Sequence, residues 1–197
     1  MPSLNRKPLT LWERHVEKWK DCERCDLHSQ RRKVVMARGD IPCDVLFVGE
    51  APGMSEDTLG SPFKGPAGKR LDSIIEGVWL SMGSNATTCF TNLVGCFPRE
   101  AKKTDDHRPE KKSIQICADR VKEMVVMCRP KLIVCVGTLA KDWIHLSVDE
   151  ASEAYEIVHI IHPSAILQAP PPNKPLMIKR VVAALQNGLA KMNSRIE

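Results

Sequence analysis

Asp44-Val45-Leu46-Phe47-Val48-Gly49-Glu50-Ala51-Pro52-Gly53-Met54-Ser55-Glu56-Asp57 starts as a buried strand and ends as a turn that no strand can continue. Val45–Val48 is a short apolar run, the pattern of a strand covered on both faces. Gly49, Pro52 and Gly53 then force a tight loop, where glycine permits positive φ and close approach of a ligand. Acids follow the strand on this loop: Glu50 first, then Glu56 beside Asp57. A carboxylate at the carboxyl end of a parallel strand stands where open α/β sheets bind their ligands. A plain strand-to-loop turn with solvated acids fits the same residues, so the stretch alone does not decide.

Gly60-Ser61-Pro62-Phe63-Lys64-Gly65-Pro66-Ala67-Gly68 comes next, followed by helical spacing at Leu71, Ile74, Ile75 and Val78. Phe63, in a polar Gly/Pro loop, is not placed like a core phenylalanine and can offer a face to a planar base. Glycines feeding a helix start expose N–H groups suited to an anion. The spacing matches neither the dinucleotide fingerprint nor the P-loop.

Around these two segments the 197 residues read as one domain, 1–197, with 43% hydrophobic and 27% charged residues, ordinary for a globular protein. A formal charge of +5 permits a nucleic-acid partner without requiring one. No apolar run approaches the roughly 20 residues that cross a bilayer. The polar start lacks a signal-peptide core, so a cytoplasmic protein is expected. A monomer is also expected. Eight cysteines in a reducing compartment point to ligands or buried thiols rather than disulfides.

Leu11, Trp12, Val16 and Trp19 predict an amphipathic helix over about Leu9–Lys20. Cys22 and Cys25 follow as a CxxC pair, which suits two thiolates on one metal, a redox pair, or incidental cysteines at a helix end. Arg31, Arg32, Lys33 and Arg38 lie in a polar connector that reads as a solvated basic loop or a phosphate contact. A second strand is expected over Cys89–Gly95. Within it Asn92 is a polar residue in apolar company, so it either satisfies backbone or reads a ligand; an amide can donate to one edge atom of a base and accept from the next.

Arg99, Lys102, Lys103, Asp105, Asp106, Arg108, Lys111 and Lys112 mark 98–113 as an exposed charged excursion. Helices are expected over about Ser113–Met127, Thr138–His145 and 174–192. Strands are expected over Lys131–Gly137 and Tyr155–Ile161, the latter closed by His162-Pro163-Ser164. His159 inside that strand reads as a satisfied core histidine, and Pro170-Pro171-Pro172 as a rigid turn. Strands alternating with helices predict a three-layer α/β/α sandwich around a central four-stranded, mainly parallel sheet. Its strand ends gather Glu50, Asn92, Gly137 and His162 on one edge with the Phe63 loop.

Together these residues resemble the uracil-DNA glycosylase superfamily, and within it the iron–sulfur branch usually called family 4. Gly49-Glu50-Ala51-Pro52-Gly53 with Glu56-Asp57 is similar to its first motif. Ser61–Gly68 is similar to its PFxGxAG segment, Thr91–Cys96 to its TNxVKC strand, and His162–Leu167 to its HPSxxLR motif. The resemblance implies a 4Fe–4S cluster on Cys22, Cys25, Cys96 and Cys117, although zinc accepts the same thiolates. Cys43, Cys89, Cys128 and Cys135 are left as buried thiols.

The implied activity is hydrolysis of the N-glycosidic bond of a flipped-out uracil or related pyrimidine in DNA, leaving an abasic site. Glu50, Asn92 and His162 would be catalytic. Phe63 would stack on the base, with Gly49, Ala51, Pro52, Gly53 and a second acid, Glu56, around it. Ser164 and N–H groups near Gly68 would grip phosphate, and Ala165–Gln168 would press into the duplex with Leu167 as the wedge.

Three departures stand out. Gln168 replaces an arginine, Gly95 replaces the lysine before Cys96, and Arg99 follows Pro98 where the family tends to repeat proline. They lie near the DNA-facing rim and admit other readings: a glycosylase for a bulkier modified pyrimidine, as in phage DNA, a non-catalytic iron–sulfur DNA-binding module, or a nucleotide-binding transferase.

Overall fold

The computed structural model describes residues 8–99, 108–149 and 152–194. Its elements are α1 (Leu11–Trp19), β1 (Arg38–Gly39), β2 (Val45–Gly49), α2 (Met54–Leu59), α3 (Pro66–Met82), β3 (Thr88–Asn92), α4 (Lys111–Cys128), β4 (Leu132–Val136), α5 (Thr138–Trp143), β5 (Glu156–Ile160), α6 (Pro163–Gln168) and α7 (Lys174–Ser194). The sheet runs in the order β1-β3-β2-β4-β5. All pairings are parallel except β1 with β3.

The two faces of the sheet bury different sets of residues, as the two-residue side-chain period requires. Val45 and Phe47 of β2 join Phe90, Val134 and the apolar faces of α3 and α7. Leu46 and Val48 join Cys89, Ile133, Cys135 and the inner face of α4. Helices on both sides of a mostly parallel sheet make the expected three-layer sandwich.

The sheet has five strands rather than four. β1 is two residues long and antiparallel, too short to leave a periodic signature. Two six-residue helices, α2 and α6, also stand where turns are expected, so Glu56 and Asp57 sit on a helix instead of a loop. Strand β3 stops at Asn92 because the Leu93 and Val94 N–H groups turn to the carbonyls of Gly49 and Glu50 at 2.9 and 3.3 Å. Helix α3 starts earlier than its apolar spacing suggests, with Pro66 at its first position, where proline's missing N–H costs nothing. Thr138–His145 divides into α5 and a 3-10 turn at Ile144–Leu146, and the proline run gives a second one at Pro171–Asn173. Most of the charged excursion, including Lys102, Lys103, Asp105 and Asp106, lies outside the described residues.

At the N-terminal end, Thr10 caps α1. Its hydroxyl accepts from the Glu13 N–H at 3.1 Å, while Glu13 accepts from the Thr10 N–H at 2.7 Å. The helix docks on α4 through Glu123, which accepts from the Trp19 indole at 2.7 Å and pairs with His15 at 2.8 Å. That docking brings the Cys22–Cys25 segment to α4, where Cys117 resides. Among the described residues no helix is long and apolar enough to cross a membrane.

Candidate active site

Parallel register brings the carboxyl ends of the strands to one edge. Gly49 lies opposite Asn92, and the Gly137 N–H donates to the Ile160 carbonyl at 3.0 Å. Beyond that edge opens a cavity of about 990 Å³, lined by Glu50, Phe63, Asn92, His162 and their neighbours. Those four side chains therefore border one cavity.

Two of them pack across Gly49. A Cβ there would lie 2.4 Å from the Asn92 amide oxygen and 2.6 Å from the Phe63 ring, so only glycine leaves room for both. Phe63 differs from expectation in being buried, 7% exposed and part of the α3-side core. Its ring tilts against Phe90 at 5.6 Å and also borders the cavity. It takes a positive φ of 54°, uncommon for a bulky residue, so its loop must be held from outside.

Several groups hold it. Glu56 accepts N–H bonds from Gly53, Lys64 and Gly65 at 3.1, 2.9 and 2.7 Å, which makes it a loop anchor. Arg38 donates to the Pro62 carbonyl at 2.9 Å, pairs with Asp72 at 2.5 Å and lies 3.9 Å over the Phe90 ring. It thus pins the loop; it is neither solvated nor placed as a free phosphate contact. Gly68 lets α3 approach, since a Cβ there would sit 2.0 Å from the Phe63 carbonyl. Asp57, fully buried, accepts from the Arg32 N–H at 2.7 Å and from Arg99 at 3.0 Å, tying α2 to the basic connector.

His162 and Glu50 meet around Gly137. A Cβ on Gly137, which has φ +95°, would lie 2.6 Å from a Glu50 carboxylate oxygen and 3.2 Å from the His162 Cβ. The Ser164 N–H donates to His162 Nδ1 at 3.3 Å, and the Ser164 hydroxyl lies 2.7 Å from the same nitrogen. An N–H can only donate, so Nδ1 accepts and Nε2 carries the proton of a neutral ring. Burial pushes the His162 pKa below its ordinary value, with Glu56 opposing, which favours the same neutral form.

Helix α6 contributes Ser164, Ala165 and Gln168 to the lining. Ile166 is buried, and Leu167 stays half-buried away from the lining. Ala51, Pro52 and Gly53 line the cavity, and Gly49 does not. His159 is exposed and borders the cavity, so it is not a core histidine; as the edge strand of the sheet, β5 leaves that position uncovered. Thr138, Leu139, Asp142 and Arg108 also line the site. No motif announced them, because α5 and the end of the excursion reach the cavity only through the chain's packing.

Cys25, Cys96 and Cys117 belong to one neighbourhood on the α4 side of the sheet. Burial, reinforced by Cys117 and Cys25, pushes the Cys96 thiol up to about 12, against the pull of Arg31 and Arg120. Nη1 of Arg31 is buried without a hydrogen-bond partner among the described residues, an uncompensated donor that suits an anionic group beside the thiols. Among those residues no three His, Cys, Asp or Glu side chains form a closed ligand set. The donor chemistry fits a thiolate-bound metal group, while the side chains do not stand gathered around one point. Cys43, Cys89, Cys128 and Cys135 are buried, as expected.

A carboxylate, an amide, an imidazole and an aromatic ring thus line one cavity at the carboxyl edge of a mostly parallel sheet, where such sheets bind their ligands. The profile of the uracil DNA glycosylase superfamily matches residues 36–186. The chain belongs to that superfamily, and it is an enzyme of the DNA N-glycosylase class. It is similar to the type-4 uracil-DNA glycosylase of Archaeoglobus fulgidus, 28% identical over 166 residues, which are 76% of this chain and 79% of the relative. The protein of that name from Saccharolobus solfataricus is 29% identical over 173 residues, 79% of this chain and 76% of the relative. The one from Pyrobaculum aerophilum is 30% identical over 121 residues, 61% and 58%.

Proposed function

We propose that the protein hydrolyses the N-glycosidic bond of a uracil flipped out of DNA, releasing the base and leaving an abasic site for repair. The observation that carries this is the convergence of Glu50, Asn92 and His162 on one cavity bordered by Phe63. The relatives are all named for uracil, and a bulkier modified pyrimidine finds no support among them.

In this reading the extruded base stacks on Phe63 while the Asn92 amide donates to one edge atom and accepts from the adjacent ring N–H. As the bond lengthens, its electron pair moves onto the base, and a base oxygen gains negative charge. His162 Nε2–H donates to that oxygen, a donor already aimed before the charge develops. The sugar becomes oxocarbenium-like. Glu50 faces it and orients the water that adds to the anomeric carbon. Ser164, with backbone N–H groups near Gly68, grips the flanking phosphates, and the exposed Ala165 and Gln168 with the half-buried Leu167 occupy the space left in the duplex.

Cys22, Cys25, Cys96 and Cys117 would hold a 4Fe–4S cluster, or zinc in its place. When bound, the group supplies a covalent cross-link between the N-terminal segment, the end of β3 and α4. No step of the hydrolysis passes through it.

The test is a panel of oligonucleotides carrying uracil or substituted pyrimidines, with the free base identified by mass spectrometry. Free uracil and an alkali-labile strand break are expected from the protein, and neither from His162→Ala. Release of only substituted bases, or of none, refutes the proposal.

A further inference from the structure

Arg120 of α4 is 1% exposed, on a helix whose other buried residues are Ser113, Cys128 and apolar side chains. A guanidinium in such a place must be fully partnered, because removing an ion from water is expensive. Its partners are specific. Nη2 donates to the main-chain carbonyl of Asn92. Nη1 donates to the Thr91 hydroxyl at 3.2 Å and reaches the Met36 carbonyl at 3.5 Å. The Thr91 hydroxyl itself donates to the Met36 carbonyl at 2.9 Å. On its other side Nε donates to the Cys117 sulfur at 3.4 Å.

These bonds, the one to Cys117 aside, fall on the last two residues of β3 and the segment beside them. That is where the parallel ladder ends and Asn92 turns its amide into the cavity. Ladder bonds hold β3 from its two strand neighbours, but nothing in a sheet holds a strand end against the helix layer. Gly95 lies against this group: a Cβ there would lie 3.0 Å from Val34 Cγ1 and 3.3 Å from Arg120 Nε. We infer that Arg120 is a positioning residue for the reaction: it sets the base-reading amide of Asn92 from behind the sheet and joins that setting to the Cys117 thiol. This inference rests on the function proposed above. Arg120 touches neither base nor sugar, so its effect must pass through Asn92.

Three consequences distinguish this role from general support of the core. Single-turnover uracil release by Arg120→Met should fall by about 100-fold, the scale of a misplacement of about 1 Å, while affinity for undamaged DNA of the same length stays within about threefold of the wild type. Arg120→Lys, which keeps a buried donor for the Asn92 carbonyl, should recover about tenfold. Added to Asn92→Ala, the Arg120→Met change should cost less than about threefold more, because residues acting through one group are not additive. Should Arg120→Met not fold, Arg120→Lys and Thr91→Val carry the same comparison on the Asn92→Ala background, with metal per chain measured to confirm that the thiol set is intact. Multiplicative losses from an active wild type, or an Arg120→Met rate within about twofold of it, overturn the inference alone. A wild type that releases no base overturns the functional proposal and this inference with it.

Discussion

Replacing Gly137 with alanine would disturb the site through one atom. The new Cβ would stand 2.6 Å from a Glu50 carboxylate oxygen and within 3.2–3.3 Å of His162. Ordinary contact begins near 3.4 Å, so the carboxylate must retreat by somewhat under an ångström and the imidazole by a few tenths. Displacements of this size between reacting groups cost up to about 100-fold in rate, or roughly 2.7 kcal/mol of transition-state stabilisation. The backbone adds its own cost, since φ +95° with ψ 162° disfavours any residue with a Cβ by about 1–3 kcal/mol of stability. Gly83 separates the two effects. It has φ +59°, and a methyl added there would meet nothing within 4 Å, so Gly83→Ala should lose stability and keep activity. The assay is single-turnover uracil release paired with thermal melting of both variants. If Gly137→Ala releases base within about twofold of the wild type, the proposal that Glu50 and His162 act together at this glycine is refuted.

The neutral state of His162 gives a pH signature. Its pKa lies below the ordinary 6.5 through burial, so release should hold steady as pH falls through 6.5 and be lost only at lower pH. In the same window the unfolded chain protonates first, so His162's stability contribution is complete above 6.5 and declines as pH drops through it; a rate midpoint at or above 6.5 refutes this. Asp57→Ala strands the Arg32 N–H and Arg99, and should destabilise by about 3 kcal/mol, seen as a fall in Tm of roughly 6–12 °C. Any of Cys22, Cys25, Cys96 or Cys117 changed to serine should lower the metal bound per chain by elemental analysis, whereas Cys43→Ala should leave it unchanged; equal loss from all five would remove the ligand assignment.

Much of the architecture is legible because strands buried on both faces read as continuous apolar runs. Val45–Val48 and Leu132–Val136 announce themselves, and the loops that leave them carry Glu50 and Gly137. β1 is invisible, since two residues make no pattern. The α2 helix is hidden inside a stretch rich in Gly, Pro and acids, so Glu56 and Asp57 look solvated when each in fact collects backbone N–H groups. Phe63 stands out for its loop context, yet its burial depends on Gly68, Arg38 and Phe90 closing in from three separate elements.

Residue order determined the mainly parallel α/β sandwich, and the motifs of the family it resembles singled out the amide, imidazole, carboxylate and ring proposed for the site. The sandwich is a consequence of local periodicity, which a linear string carries, whereas the site residues came from the motif match, since side-chain type alone left plain structural readings open. Tertiary structure alone decided which nitrogen of His162 keeps its proton, which glycines stand at the crossings of functional side chains, that Arg38 and Glu56 serve the Phe63 loop, and that a buried arginine stands behind Asn92. Each of these depends on distances between segments far apart in the chain, and such distances exist only once the sheet has set its register and the helices have closed over it.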